Sequence, residues 1–365
     1  MAPLDNLVVP KGSTVLVTGA NGLLGSHISK QFLEFGYNVR GTVRNPEKNA
    51  WLKTAFDKEY GQGRFEFFQV PDMVTEGAFN EAVKGAAVVA HSASIMSLDP
   101  NPNNVIPAVI AGAVNALKAA YAEPSVKRFV YTSSSSATVI AEPSQTGINV
   151  TQETWNEDSI KKAWADPPYT MERAADTYGA SKAQAEQEVW KYYKEHRDER
   201  PDIVVNTVLV IPNFNFGRSI DPVNQGYPSS SALPALLYNG LVTGVHHLVV
   251  PQYFVDIDDT GRLHVAAGIL DHVKGQRIFA YGGRFNWDEV LEILRKAEPS
   301  KTLPENFSGG RDANEYEDRA KAEQLLRDLG RPGWTTLEET ILATVEGLRE
   351  AGDKLKVRDY EELGL

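Results

Sequence analysis

No cysteine occurs among the 365 residues, which excludes disulfides, thiolate nucleophiles and cysteine-ligated metals. Histidine is sparse, with seven in all and no HExxH pattern, so no metal is expected. The adjacent pair His246-His247 opens the run HHLVV, which reads as an apolar strand over 246–250. The start, MAPLDNLVVPKGS, lacks a long apolar run behind positive charge, and no apolar stretch reads as long enough to cross a bilayer. Positive charge is in deficit: 37 Lys and Arg against 48 Asp and Glu leave a net charge of −11. A surface of that sign repels nucleic acid and anionic membranes, so neither is expected as a partner. The expected location is cytoplasmic. There is no internal repeat and no low-complexity tract. What remains is 42% hydrophobic and 23% charged, an ordinary globular balance with enough apolar material for one large core or two small ones.

Strand-like and helix-like stretches alternate through the first part of the chain. STVLVT (13–18), NVRGTV (38–43), RFEFFQV (64–70), GAAVVAHSA (85–93), VKRFVYTSS (126–134) and DIVVNTVLV (202–210) read as strands. Leu24, Ile28, Phe32 and Phe35 mark a helix over 22–35, and further helices read over about 47–60, along Val105 to Leu117 and over 174–196. A short helix is expected ahead of the fourth strand. This order predicts an α/β fold, a Rossmann-type doubly wound parallel sheet, with ligands at the carboxyl ends of the strands. Past Pro212 the pattern changes to Pro, Gly, Asn and Ser, then short mixed elements with helices near 232–240 and 258–270. The expected division is a Rossmann domain over 1–211 that carries the catalytic residues. A smaller substrate-binding lobe follows over 212–350, whose segments can interleave with the sheet, and then a charged tail over 351–365.

The first strand runs into Thr18-Gly19-Ala20-Asn21-Gly22-Leu23-Leu24-Gly25. Gly19 permits the tight turn, Gly22 lets a pyrophosphate approach the backbone, and Gly25 lets the helix pack on the sheet, with helix-terminal amides at Asn21 to Leu24 facing the phosphates. In a strand–turn–helix setting this predicts dinucleotide binding. An NAD site carries an acidic residue at the end of the second strand. Here that strand reads Val39-Arg40-Gly41-Thr42-Val43-Arg44, and a pair of arginines suits a 2′-phosphate instead. NADP(H) is therefore the expected cofactor, with Arg40 and Arg44 on the 2′-phosphate and Asp72 and Met73 beside the adenine.

Tyr178-Gly179-Ala180-Ser181-Lys182 sets a tyrosine and a lysine on one helix face. A free phenol titrates near 10. An adjacent ammonium is expected to lower that value and let Tyr178 serve as a general acid toward a carbonyl undergoing reduction. The lysine can also bond the nicotinamide ribose. A serine at the end of the fifth strand, within YTSSSSATV (131–139), supplies a further donor for the developing oxyanion.

TGANGLLG, the strand-end TSS and YGASK together resemble the extended short-chain dehydrogenase/reductases. The likeness is greatest to the dihydroflavonol-reductase-like branch, and within it to NADPH-dependent aldehyde and ketone reductases of yeasts. It runs from Leu4-Asp5-Asn6 through PSVKRFVYTSS and VPQYF (250–254) to Leu329-Gly330-Arg331-Pro332-Gly333-Trp334, nearly the whole chain. The resemblance implies Tyr178 as the catalytic tyrosine and Lys182 as its lysine. It implies Ser134, the second serine after Phe129-Val130-Tyr131, as the catalytic serine, although four serines stand where the family shows fewer. By the same resemblance His91, Ser92 and Ala93 lie along the cofactor, and Pro212, Asn213 and Phe214 lie beside the nicotinamide. Ser94, Gln252 and Tyr253 fall where the substrate pocket is lined. Strand parity then turns Ser133 to the opposite side, toward a local backbone hydrogen bond, and leaves Ser136 in line with Ser134 only if the strand continues straight.

The expected activity is NADPH-dependent reduction of aldehydes and ketones, ketoesters included, to alcohols. The expected partner is a small-molecule carbonyl substrate, and the expected assembly is a monomer or homodimer. The rivals are a sugar-nucleotide epimerase or dehydratase or a steroid dehydrogenase of the same superfamily, and a non-catalytic NADP-sensing regulator.

Overall fold

β-branched, apolar runs alternating with helices close into one parallel sheet. A computed structural model describes residues 7–140, 147–210, 214–312, 314–316 and 318–352. In chain order the first elements are β1 (Thr14–Thr18), α1 (Leu23–Glu34), β2 (Asn38–Val43), α2 (Ala50–Tyr60), β3 (Phe65–Gln69), β4 (Ala86–His91), α3 (Pro102–Ala122) and β5 (Arg128–Ser134). Next come the short β6 (Asn149–Val150), α4 (Glu157–Ala163), α5 (Ala174–Glu195) and β7 (Val204–Val210). The later part holds β8 (Asn215–Phe216), α6 (Ala232–Tyr238), α7 (Gly244–Leu248), β9 (Gln252–Asp256), α8 (Ile257–Ile269) and β10 (Arg277–Ala280). It continues with β11 (Gly283–Phe285), α9 (Trp287–Ala297), β12 (Glu315–Tyr316), α10 (Arg319–Asp328) and α11 (Leu337–Ala351).

Seven strands pair in the order β10-β7-β5-β4-β1-β2-β3, every pair parallel. A parallel sheet is covered on both faces. Leu16, Val89, Phe129 and Val205 pack with apolar residues of α3 and α5 on one face. Val17, Ala90, Val130 and Val208 pack with those of α1 and α8 on the other. The chain leaves β1 toward β2 and β3, then returns to the other side of β1 as β4, so the crevice of the sheet opens between the ends of β1 and β4.

Residues after 214 go to two places. β10, α8 and α10 complete the sheet and its α1 face. The remainder builds a second core around Phe214, Phe216, Phe254, Phe285 and Trp287, under a three-stranded sheet in the order β11-β9-β8. Asp258 ties α8 to α1, accepting from His27 Nδ1 at 2.7 Å and Lys30 Nζ at 2.6 Å.

Three expectations are corrected. HHLVV is not a strand: His246 and His247 close the short helix α7, whose start is held by a reciprocal cap in which the Thr243 backbone N–H donates to His246 Nδ1 at 3.1 Å. A five-residue apolar run fits either element, and the cap decides. The segment ahead of β4 is a series of turns punctuated by Gly77 and Gly85 at positive φ, not a helix. Finally, among the described residues α3 is long and apolar enough to span a bilayer, and most of it is buried against α5 and the sheet instead.

Candidate active site at the crevice of the sheet

β1 ends at Thr18, and Gly19 turns the chain at a φ of +67°. A Cβ on Gly25 would sit 2.2 Å from the Gly19 carbonyl oxygen, so only glycine lets α1 start this close beneath the turn. Asn21 and Leu24 are half-buried, Leu23 is buried and Gly22, the N-cap of α1, is exposed. Opposite stands the end of β4. The Thr18 hydroxyl accepts the N–H groups of Ser92 at 3.1 Å and Ala93 at 3.0 Å, so its own proton goes to His91 Nδ1 at 2.9 Å. Burial, reinforced by the Lys182 charge, lowers the His91 pKa to about 3, and the imidazole is a neutral wall. This knot fixes the His91-Ser92-Ala93 stretch against the glycine turn, with Ala93 Cα 3.1 Å from the point where a Gly19 Cβ would stand.

The two arginines part company. Arg40 pairs in register with Leu16, two residues short of the end of β1. Its guanidinium is committed to Glu66 Oε1 at 2.7 Å and to the carbonyls of Ala82 at 2.9 Å and Lys84 at 2.8 Å. That corrects the expectation of a shared 2′-phosphate role: Arg40 fastens β2 to β3 and to the turn before β4. Arg44 lies just past β2, exposed, and no described residue takes its guanidinium. Asp72 folds its carboxylate onto the Val74 N–H at 2.9 Å and the Thr75 hydroxyl at 3.1 Å, while Met73 packs on Gly112 of α3.

At the end of β5 the serines separate. Ser134 is buried, its hydroxyl oxygen accepting the Ser136 N–H at 3.0 Å as the cap of a 3₁₀ turn over Ser135–Ala137. The strand therefore stops at Ser134 and Ser136 does not continue its parity. Ser133 faces the other way, but to a side chain rather than to local backbone: its hydroxyl donates to Glu186 Oε2 at 2.7 Å. Tyr178 and Lys182 rise from α5 beneath this turn. Burial pushes the Tyr178 phenol up to about 12, and a hydrogen bond with Ser134 pulls the other way. The expected lowering by Lys182 is not found: Ser134, not the lysine, is what opposes burial. Burial brings Lys182 down to about 8, opposed by the charge of Glu186. Its ammonium donates to Ser94 Oγ at 3.4 Å, so Ser94 stands with the lysine and not in the cavity wall.

A cavity of about 370 Å³ opens above Tyr178. Ser135 and Ser136, Phe214, Leu233, Val249, Gln252, Tyr253, Tyr281 and Tyr316 are among its lining residues, and none of the lining residues carries a formal charge at neutral pH. Gln252 and Tyr253 reach it from β9; Phe214 reaches it from the aromatic core. Pro212 and Asn213 lie outside the described residues.

Residues 15–268 match the NAD-dependent epimerase/dehydratase family. The chain belongs to that family. Within it the chain is an extended short-chain dehydrogenase/reductase. Aldehyde reductase 2 of Sporidiobolus salmonicolor is 43% identical over 93% of this chain and 97% of its own. Ketoreductase nvfG of Aspergillus novofumigatus is 35% identical over 92% and 97%. In fold the family member is similar to yeast methylglyoxal/isovaleraldehyde reductase Gre2, solved with NADPH, at a TM-score of 0.76 and 24% identity over 93% of this chain and 99% of that one.

Two residues escaped the sequence reading. Gln225, from the later part of the chain, donates to Ser26 Oγ at 2.9 Å and to the Gly22 carbonyl at 3.4 Å, bracing the glycine turn. Nothing in the sequence links positions so far apart. Glu186 is legible in hindsight, four residues after Lys182 as Lys182 is four after Tyr178. Fully buried, it accepts from Ser133, from Thr207 Oγ1 at 2.8 Å and from Arg277 Nε at 2.8 Å, locking α5 to β5, β7 and β10.

Proposed function

We propose that this protein is an NADPH-dependent reductase of small aldehydes and ketones. The observation that carries the reading is the meeting of Ser134, Tyr178 and Lys182 at the crevice, under a cavity whose lining residues are uncharged. The site fits a dinucleotide: with no side chain at Gly19 or Gly25 the turn packs directly against Ala93 and α1, and the α1 N-terminus at the exposed Gly22 is left open to a pyrophosphate. Arg44, exposed with unengaged donors at the end of β2, holds the 2′-phosphate; Asn21 to Gly25 and His91 to Ala93 flank the pyrophosphate and ribose. Bound there, the reduced nicotinamide supplies the hydride.

The protein's own part is proton supply and positioning. With its pKa pushed up to about 12, Tyr178 is protonated at neutral pH and donates its proton to the substrate oxygen as negative charge develops there. Ser134 holds that oxygen by donating its hydroxyl proton, while one of its two lone pairs accepts the Ser136 N–H. Lys182, charged at neutral pH, binds the ribose and stabilises the phenolate left behind. Phe214, Gln252 and Tyr253 wall the substrate, with Ser94 steadying the lysine. The cavity argues against a sugar nucleotide, since two phosphates there would meet no lining cation. The reading takes the protein to act in the cytoplasm, as a monomer or homodimer, and its net charge of −11 disfavours nucleic acid and anionic membranes as partners.

Offering the purified protein a panel of aldehydes, ketones and ketoesters tests the reading: NADPH oxidation far faster than NADH oxidation is expected. No oxidation across the panel, with NADPH still bound, would favour a cofactor-sensing role.

A further inference from the structure

A second cavity, of about 430 Å³, lies in the later part of the chain and touches the first only through Tyr253, which lines both. Its wall is of opposite character. Arg284 of β11, Arg311 and Arg319 at the start of α10 face it, against the carboxylates of Glu289 and Glu315. On a chain with a net charge of −11, an excess of cations in one concave site runs against the overall balance. The two carboxylates are also partly engaged: Glu289 caps α9 by accepting the Asn286 N–H at 3.1 Å, and Glu315 accepts from Arg284 at 2.6 Å.

The guanidiniums keep donors in reserve. Arg319 donates through Nε to the Tyr281 carbonyl at 3.0 Å and through one terminal nitrogen to the Gly282 carbonyl, leaving the other terminal nitrogen. Arg284 also donates to the Asn314 carbonyl at 2.9 Å and stands 5.0 Å over the Tyr253 ring, while its Nε is buried without a partner. Arg311 is exposed, and no described residue takes its donors. Arginine remains charged at any physiological pH and pairs bidentately with carboxylate and phosphate. The volume suits a small metabolite.

We infer that this cavity binds a small organic anion through its carboxylate or phosphate groups, held by Arg284, Arg311 and Arg319 back to back with the substrate cavity across Tyr253. Binding involves no turnover, so its test stands apart from the carbonyl-reductase reading. The full chain is titrated calorimetrically with inorganic phosphate and, separately, with citrate, at an ionic strength held constant with sodium chloride. Saturable binding of one of them is expected, and which one binds tells phosphate from carboxylate chemistry. Arg311→Glu should weaken binding by about tenfold or more, the loss of a charge-assisted pair. Glu315→Gln, which removes a competing carboxylate, should strengthen it. Both side chains are exposed, and circular dichroism checks that both variants are folded. No binding of either anion, unchanged affinity in Arg311→Glu, or weaker binding in Glu315→Gln overturns the site.

Discussion

At the carboxyl edge of the sheet the candidate groups stand at strand ends or on one face of a helix packed against the sheet. Thr18, His91 and Ser134 end β1, β4 and β5, and Tyr178 and Lys182 follow on one face of α5. Buried hydrogen bonds and charge-assisted pairs hold them: Thr18 to His91, Ser133 to Glu186, Glu186 to Arg277. The roof of the cavity is assembled otherwise. Phe214, Val249, Gln252, Tyr281 and Tyr316 arrive from segments scattered along a hundred residues, and aromatic packing joins them, as where Tyr281 stacks on Tyr316 at 3.8 Å between centroids. Hydrogen bonds specify position to fractions of an ångström, whereas apolar packing tolerates exchange at constant volume. The edge is therefore suited to set the chemistry and the roof to set the fit. Substitutions at the edge should act on kcat, and those in the roof on KM.

The hardest test of that division is Tyr178→Phe, which removes the proton donor and keeps the ring. Turnover should fall roughly a hundred- to ten-thousand-fold with NADPH affinity intact; near-normal kcat would remove Tyr178 from the acid role. Next comes the serine pair. Ser134→Ala should cost roughly a hundredfold in kcat, and Ser136→Ala only a few-fold, because Ser136 has already turned off the strand. A larger loss for Ser136→Ala in the same steady-state assay would transfer the oxyanion contact to the turn.

Glu186→Gln probes the edge from below. Breaking its buried pair with Arg277 should cost about 3–5 kcal/mol of stability, read from urea midpoints. Lys182 is charged below about 8 and neutral above, so activity should decline as pH rises through that value. Glu186 holds the lysine pKa up, so the variant's decline should begin at lower pH; an unmoved pH profile would confine Glu186 to a structural part. Arg44→Asp should weaken NADPH roughly ten- to a hundredfold and leave NADH nearly unchanged, as measured by fluorescence titration. The smallest effect belongs to the roof. Leu248 lines the cavity yet is 81% exposed, so Leu248→Ser should raise KM for apolar carbonyls a few-fold, with kcat and stability unchanged. A drop in kcat there would blur the division.

Much of the edge was readable in advance because its logic is local. The glycine turn, the strand ends and the four-residue spacing of Tyr178 and Lys182 are properties of neighbouring residues and of one period. Where that reading failed, a distant group had intervened. Arg40 and Arg44 share strand parity, but Glu66 and the carbonyls of Ala82 and Lys84 engage one and leave the other. The Tyr178 phenol was expected to be lowered by its lysine, and burial from all sides raised it instead. HHLVV carried no period long enough to choose between strand and helix, and the Thr243 cap chose.

The order of strands and helices, the dinucleotide turn and the residue types of the proposed serine–tyrosine–lysine trio were determined by the sequence alone, through periodicity and through what glycine, tyrosine and lysine each can do. Tertiary structure decided which of four serines bonds the Tyr178 phenol, which arginine is free, where Gln225 braces the turn, and that Tyr253 divides an uncharged cavity from an arginine-rich one. These depend on burial and on partners tens to hundreds of residues away, and desolvation and long-range pairing leave no mark in any local stretch of chain.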